Sequence, residues 1–214
     1  MTATRGYRSP RRQQQAAETR ALVLAAADTL FATRGWSATG MRDVAREAGV
    51  AVETVYANFR SKAELLMAAI DVSVVGDVEP VPLSERPAFA RLAVGSFADR
   101  VASAARLLAD INQRVSGLHR ALREAAASEP DLAQKLAEGE QRRRVNVQDG
   151  AELVTGRRLG DDERDGLWAI VSAEVFDLLT GIAGWSPQRY EAWVTQMLTT
   201  LLADDTHQPE ESSS

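Results

Sequence analysis

Apolar residues return along this chain at three- and four-residue steps, the spacing of one helical face, and no segment shows the strict alternation of a half-buried strand. From Gln13 to Arg34, the positions Val23, Ala26, Ala27, Leu30 and Phe31 predict one amphipathic helix, which Gly35 ends from the C-cap position. Thr39 is placed to cap a second helix, whose Met41, Val44, Ala45 and Ala48 form a stripe that stops at Gly49. After the turn Gly49-Val50-Ala51 comes a helix of only about two turns, with Val55 and Phe59 as its inward residues. Ser61-Lys62-Ala63-Glu64 then reads as a capping box ahead of Leu65, Leu66, Ala69 and Ile70, which predicts a fourth helix to about Val75.

The segment GDVEPVPLSERP, residues 76–87, concentrates prolines and a glycine and marks a domain boundary. Beyond it a helix is predicted over Ala88–Ala127, with Leu92, Val101, Leu108, Ile111, Val115, Leu118 and Leu122 inward and one break near Ser116-Gly117. Pro130 opens a helix to about Val154, TGRRLGDDERDG reads as a link, and Leu167–Leu179 and Pro187–Leu202 complete the set. The pattern divides the chain into a flexible basic arm (1–12), a three-helix segment (13–60), a connecting helix (61–75), a helical domain (88–203) and a disordered tail (204–214). The fold class is all-α.

Charge separates the two parts. Residues 1–62 hold 10 Lys+Arg against 5 Asp+Glu, a balance of +5, whereas 63–214 hold 15 against 25, a balance of −10. A basic segment suits a polyanion, and a solvated basic face is the plain alternative. There is no cysteine, and His119 and His207 are the only histidines, so disulfides, thiolate nucleophiles and His- or Cys-rich metal sites are excluded and no cofactor is expected. No apolar run approaches the length of a membrane span, and the basic start MTATRGYRSPRR lacks the apolar stretch of a secretory signal, so a cytoplasmic protein without membrane partners is expected. The absence of a nucleophile elbow or Gly-rich phosphate loop argues against an enzyme.

Two short helices around a Gly turn form a helix-turn-helix pattern, in which the second helix enters the major groove and the first braces it. With Val55 inward and about 100° per residue, Glu53 and Ala57 lie outermost, with Thr54 and Tyr56 on the shoulders. Ala57 permits close approach to a thymine methyl, Glu53 can accept from cytosine, and the Thr54 and Tyr56 hydroxyls and Lys62 reach phosphate. Helical hairpins that merely pack are the alternative.

Residues 17–66 resemble the DNA-binding domain of TetR-family transcriptional regulators. The resemblance rests on Leu30-Phe31 and Gly35, Thr39, Val44-Ala45, Ala48-Gly49-Val50, Thr54-Val55-Tyr56, Phe59, Ser61-Lys62 and Leu65-Leu66. It implies phosphate contacts from Thr39, Tyr56 and Lys62, and base or near-base contacts from Arg42, Val52, Glu53, Thr54 and Ala57. Asn58 stands where the family commonly has an aromatic or imidazole.

The same resemblance implies a homodimer on a palindromic double-stranded DNA operator, with the last two helices forming the interface. Leu167, Val171, Val175, Leu178, Trp193, Met197 and Leu201 are its candidates, the chain's own core being their other destination. The helical domain becomes the site of a small, largely apolar effector that releases the operator by shifting helix 4. Phe97, Ile111, Leu118, His119, Trp168 and Phe176 are the candidate lining, and each could be plain core instead. Arg142-Arg143-Arg144 reads as a solvated face, and Arg5, Arg8, Arg11 and Arg12 could follow a minor groove. A ligand-released repressor is therefore the leading expectation, an activator of the same family or a helical interaction module without DNA binding the alternatives.

Overall fold

The computed structural model describes residues 10–77, 79 and 81–203, and every regular element among them is helical. Helix α1 spans Pro10–Arg34, and it begins earlier than expected because proline suits the first helical turn, where no N–H is needed. Arg11 and Arg12 thus belong to α1, while Arg5 and Arg8 lie outside the described residues, as does 204–214. Gly35 (φ +78°) ends the helix, its N–H bonded to the Phe31 carbonyl at 3.0 Å.

Helix α2 (Met41–Ala48) is capped by Gly40, not Thr39: Asp43 Oδ2 accepts the Gly40 N–H at 3.0 Å. Gly49 (φ +68°) closes α2 and starts the turn into α3 (Val52–Asn58). Helix α4 (Lys62–Val75) opens on Ser61, whose Oγ accepts the Glu64 N–H at 3.0 Å. The Glu64 carboxylate reaches the N–H of Arg60 at 2.9 Å, one residue beyond the reciprocal partner of a standard box.

The described residues form two compact units. The first joins those of Met1–Glu79 with Gly117–Leu136. Its core unites Val23, Leu30, Phe31, Val44, Val55, Phe59, Leu65 and Leu66 with Leu118, Leu122 and Leu132. Segment 117–136, which the sequence pattern assigned to the later helical domain, therefore packs with α1–α4, and Leu118 is a core residue of this unit rather than effector lining. Gly117 explains the expected break that does not occur, since α6 (Phe97–Ala126) runs through it unbroken. A Cβ at Gly117 would stand 2.7 Å from the Ala32 Cβ and 2.9 Å from its Cα. The glycine serves close helix contact rather than a bend.

The second unit comprises the described residues of Pro80–Ser116 and Ala137–Ser214. It opens with a 3-10 turn at Leu83–Glu85 and the one-turn helix α5 (Pro87–Ala90). The real break in the predicted Ala88–Ala127 helix falls at Val94–Ser96, where Gly95 has φ +90° and Ser96 and Asp99 exchange hydrogen bonds ahead of α6. Helix α7 covers Pro130–Thr155. Helix α8 (Asp161–Ile170) takes in the second half of the expected link, because Asp161, Asp162 and Glu163 sit in its first turn, where the helix dipole favours acids. The predicted Leu167–Leu179 helix is interrupted at Val171-Ser172: Ser172 caps α9 (Ala173–Asp177), which continues into a π turn at Leu178–Ile182. Helix α10 matches its prediction at Pro187–Leu202.

The core of this unit gathers Leu92, Val101, Ala105, Val154, Leu167, Val171, Phe176, Tyr190, Val194 and Leu198. Leu167 and Val171, expected at a dimer interface, are thus buried within their own chain. Tyr190 is fully buried, its hydroxyl accepting from Asn112 Nδ2 at 3.0 Å, and burial pushes its pKa up to about 12. Arg143 and Arg144 do not form a solvated face: Arg143 meets Glu140 at 2.9 Å, and Arg144 makes two bonds to Asp165. No described helix is long and apolar enough to cross a membrane.

Candidate nucleic-acid interface

Helix α3 is held from beneath by two side chains with no exposed surface, Val55 and Phe59. Burying residues of this size stabilises by roughly 1.5–3 kcal/mol each, which fixes the rotation of a helix too short to persist alone. The opposite face is left to solvent. Tyr56 is 52% exposed, Glu53, Ala57 and the neighbouring Arg42 of α2 are exposed, and Val52, Thr54 and Asn58 are half-buried. Asn58 Nδ2 donates back to the Thr54 carbonyl at 2.8 Å, and its own carbonyl accepts from Arg20 at 3.4 Å. Arg20 lies with its guanidinium carbon 4.3 Å from the Phe59 ring centroid, so one cation of α1 steadies the C-terminal end of α3.

Two expected phosphate contacts point elsewhere. Thr39 is buried, and its hydroxyl donates to the Leu30 carbonyl at 3.1 Å. The Lys62 ammonium donates to the Trp36 carbonyl and stands 3.9 Å from the Trp36 ring centroid. Burial lowers the Lys62 pKa, opposed by the charges of Glu124 and Glu129. Both residues therefore serve the loop between α1 and α2 in this structure.

Glu124 on α6 supplies what sequence reasoning missed. Its carboxylate accepts the Trp36 N–H at 2.8 Å and the Ser37 N–H at 3.0 Å, and these bonds, led by Ser37 and assisted by Lys62, hold its pKa below the usual carboxylate range. Arg120 adds a bond to the Ala32 carbonyl at 3.1 Å. Trp36 itself stacks on Phe31 with centroids 6.0 Å apart. No local signal could have disclosed these contacts, because Glu124 and Trp36 are 88 residues apart.

A short helix presented outward after a glycine turn and braced by the helix before it is a helix-turn-helix, the class this arrangement defines. Residues 23–69 match the family description "Bacterial regulatory proteins, tetR family". The HTH-type transcriptional regulator TtgR of Pseudomonas putida is 41% identical over 61 residues, 28% of this chain. The probable HTH-type transcriptional regulator ArpR, also of Pseudomonas putida, matches equally, and the chain covers 29% of the length of both curated relatives. Among solved structures, a transcriptional regulator from Rhodococcus sp. Rha1 aligns with TM-score 0.60 at 20% identity, over 86% of this chain and 95% of that one. The multidrug binding protein EbrR, complexed with imidazole, aligns with TM-score 0.57 at 20% identity, over 95% and 98%. These likenesses establish the fold. The likeness to the TetR family itself is carried by the helix-turn-helix segment, residues 23–69 in the family match and 61 residues in the two curated relatives.

Proposed function

We propose that this chain is a DNA-binding transcriptional regulator, a repressor that docks α3 in successive major grooves of a palindromic operator as a homodimer. The observation that carries the reading is the two-faced α3, with Val55 and Phe59 fully buried and Glu53, Tyr56 and Ala57 exposed. Tyr56 reaches phosphate, Ala57 allows close approach to base edges, and Glu53 and Arg42 set the sequence preference. Asn58 acts through the Thr54 carbonyl and Arg20 to hold the helix end. The dimer would form through the second unit, where Leu178 is 55%, Ile182 78% and Leu201 41% exposed. Val175, Trp193 and Met197, each half-buried, flank these positions in sequence.

A small effector entering the second unit would lower operator affinity by a population shift of a few kcal/mol at most. Of the candidate lining, Phe97, Ile111 and Trp168 are half-buried and Phe176 is buried edge-on against Tyr190 at 4.8 Å. His119 is half-buried in the first unit and is not assigned to the effector. Such a regulator would work in the cytoplasm, beside its operator. Selection of bound duplexes from a random pool by the purified chain tests the reading. A palindrome with half-sites about one helical turn apart is expected; a pool without enrichment overturns it.

A further inference from the structure

Three elements of the first unit converge on Trp36, in the loop between α1 and α2. Its N–H and that of Ser37 donate to the two oxygens of the Glu124 carboxylate, at 2.8 and 3.0 Å. Its carbonyl accepts the Lys62 ammonium from α4 and, at 3.3 Å, the Thr39 N–H. Consecutive N–H groups turned to one side make a small anion-binding concavity, and here the chain supplies the anion itself. Gly35 makes room for it, since a Cβ there would stand 2.5 Å from Glu124 Oε2.

The loop held in this way sets where α2 begins. Thr39, bonded to the Trp36 carbonyl through its N–H and to the Leu30 carbonyl through its hydroxyl, is the residue before the Gly40 cap. Thr39 and Met41, on either side of that cap, are both buried, so neither can swing free. A displaced Trp36 peptide would therefore carry the start of α2 with it. In a helix-turn-helix that first helix crosses the DNA backbone and braces the one that enters the groove.

Lys62 belongs to the same arrangement. Its ammonium is engaged twice by Trp36, at the carbonyl and over the ring at 3.9 Å, and the nearby Glu124 charge favours it there. A phosphate would have to draw it away from all three.

We propose that Glu124 is a positioning residue for operator recognition, and that Lys62 acts with it on the Trp36 loop instead of touching a phosphate. Neither side chain reaches DNA; together they fix the Trp36 peptide and, through it, the start of α2. This rests on the regulator reading above and assigns that reading two residues that work from behind the recognition helix.

The test uses the full chain and the operator that the wild type selects, with Lys62→Met and Glu124→Ala, each titrated below its own melting temperature. Lys62→Met should bind more weakly yet keep the wild-type slope of log affinity against log salt, whereas a lost phosphate contact would flatten that slope by about 0.9 for each protomer. Glu124→Ala should bind about tenfold more weakly, again with the slope unchanged. Acetate exchanged for chloride at constant ionic strength should recover most of that loss, measured against the wild type in the same buffers, because the exposed concavity is left open to a small carboxylate. The same exchange should move the Trp36 and Ser37 amide resonances of ¹⁵N-labelled Glu124→Ala. A flattened slope in Lys62→Met, a Glu124→Ala that binds like the wild type, or a loss that acetate leaves in place overturns the proposal. A wild type that selects no operator overturns the regulator reading and this role with it; a selected operator to which Glu124→Ala is indifferent overturns this role alone.

Discussion

Tyr56 and Lys62, both cast by their spacing as phosphate contacts, differ in what they touch. The Tyr56 side chain is exposed, so Tyr56→Phe should leave the melting temperature unchanged and weaken operator binding by about three- to tenfold, the worth of one hydrogen bond. Lys62→Met removes both the bond to the Trp36 carbonyl and the ring contact, so it should lower the melting temperature as well as operator affinity. Thermal denaturation beside a gel-shift titration distinguishes the two. Gly117→Val tests the close approach to Ala32: exchanging glycine for a β-branched residue gains only about 0.3 kcal/mol of helix propensity, which overpacking of roughly 1–3 kcal/mol outweighs. A melting point lower by a few degrees is expected. The outward set Glu53, Tyr56 and Ala57 was legible from periodicity, because helical rotation is a local property. The inward turn of Thr39, the capture of Lys62 and the role of Glu124 were not, since each depends on a partner supplied by another element.

At the scale of elements, the stops at Gly35 and Gly49 and the start at Ser61 were read correctly from the sequence, whereas the starts at Pro10 and at Gly40 were not. Gly35, Gly49 and Gly76 each end a helix at positive φ, and Ser61 accepts the N–H of Glu64 as its motif requires. Ser61→Ala should therefore cost about 1 kcal/mol in denaturant unfolding. The misplaced breaks share a reason: Gly117 resembles a stop but serves packing, while the acids of 161–163 resemble a loop but stabilise a first turn. Glu163 accepts from Arg157 and the Gly160 N–H, Arg157 being the larger cause, and its pKa falls from the ordinary 4.5 to about 2. A depressed carboxylate contributes stability that is present above pH 4.5 and is lost as pH falls toward 2. Glu163→Gln should flatten that limb of the stability profile in acid titrations followed by circular dichroism.

For the whole molecule, an acidic chain carries its positive balance in the segment that holds the helix-turn-helix. Net charge alone would have hidden the DNA-binding reading. The exposed Leu178 and Leu201 place apolar surface on the last helices of the second unit. Leu178→Glu with Leu201→Glu should give a monomer in sedimentation velocity, with operator affinity falling steeply because one recognition helix is left to bind alone.

The central claim, that the outer face of α3 reads sequence, is tested most directly by repeating the random-pool DNA selection with Glu53→Gln and with Ala57→Ser. The account predicts that each substitution changes the selected bases at one or two positions, symmetrically in both half-sites, and leaves the half-site spacing intact. An unchanged consensus from both variants would contradict it.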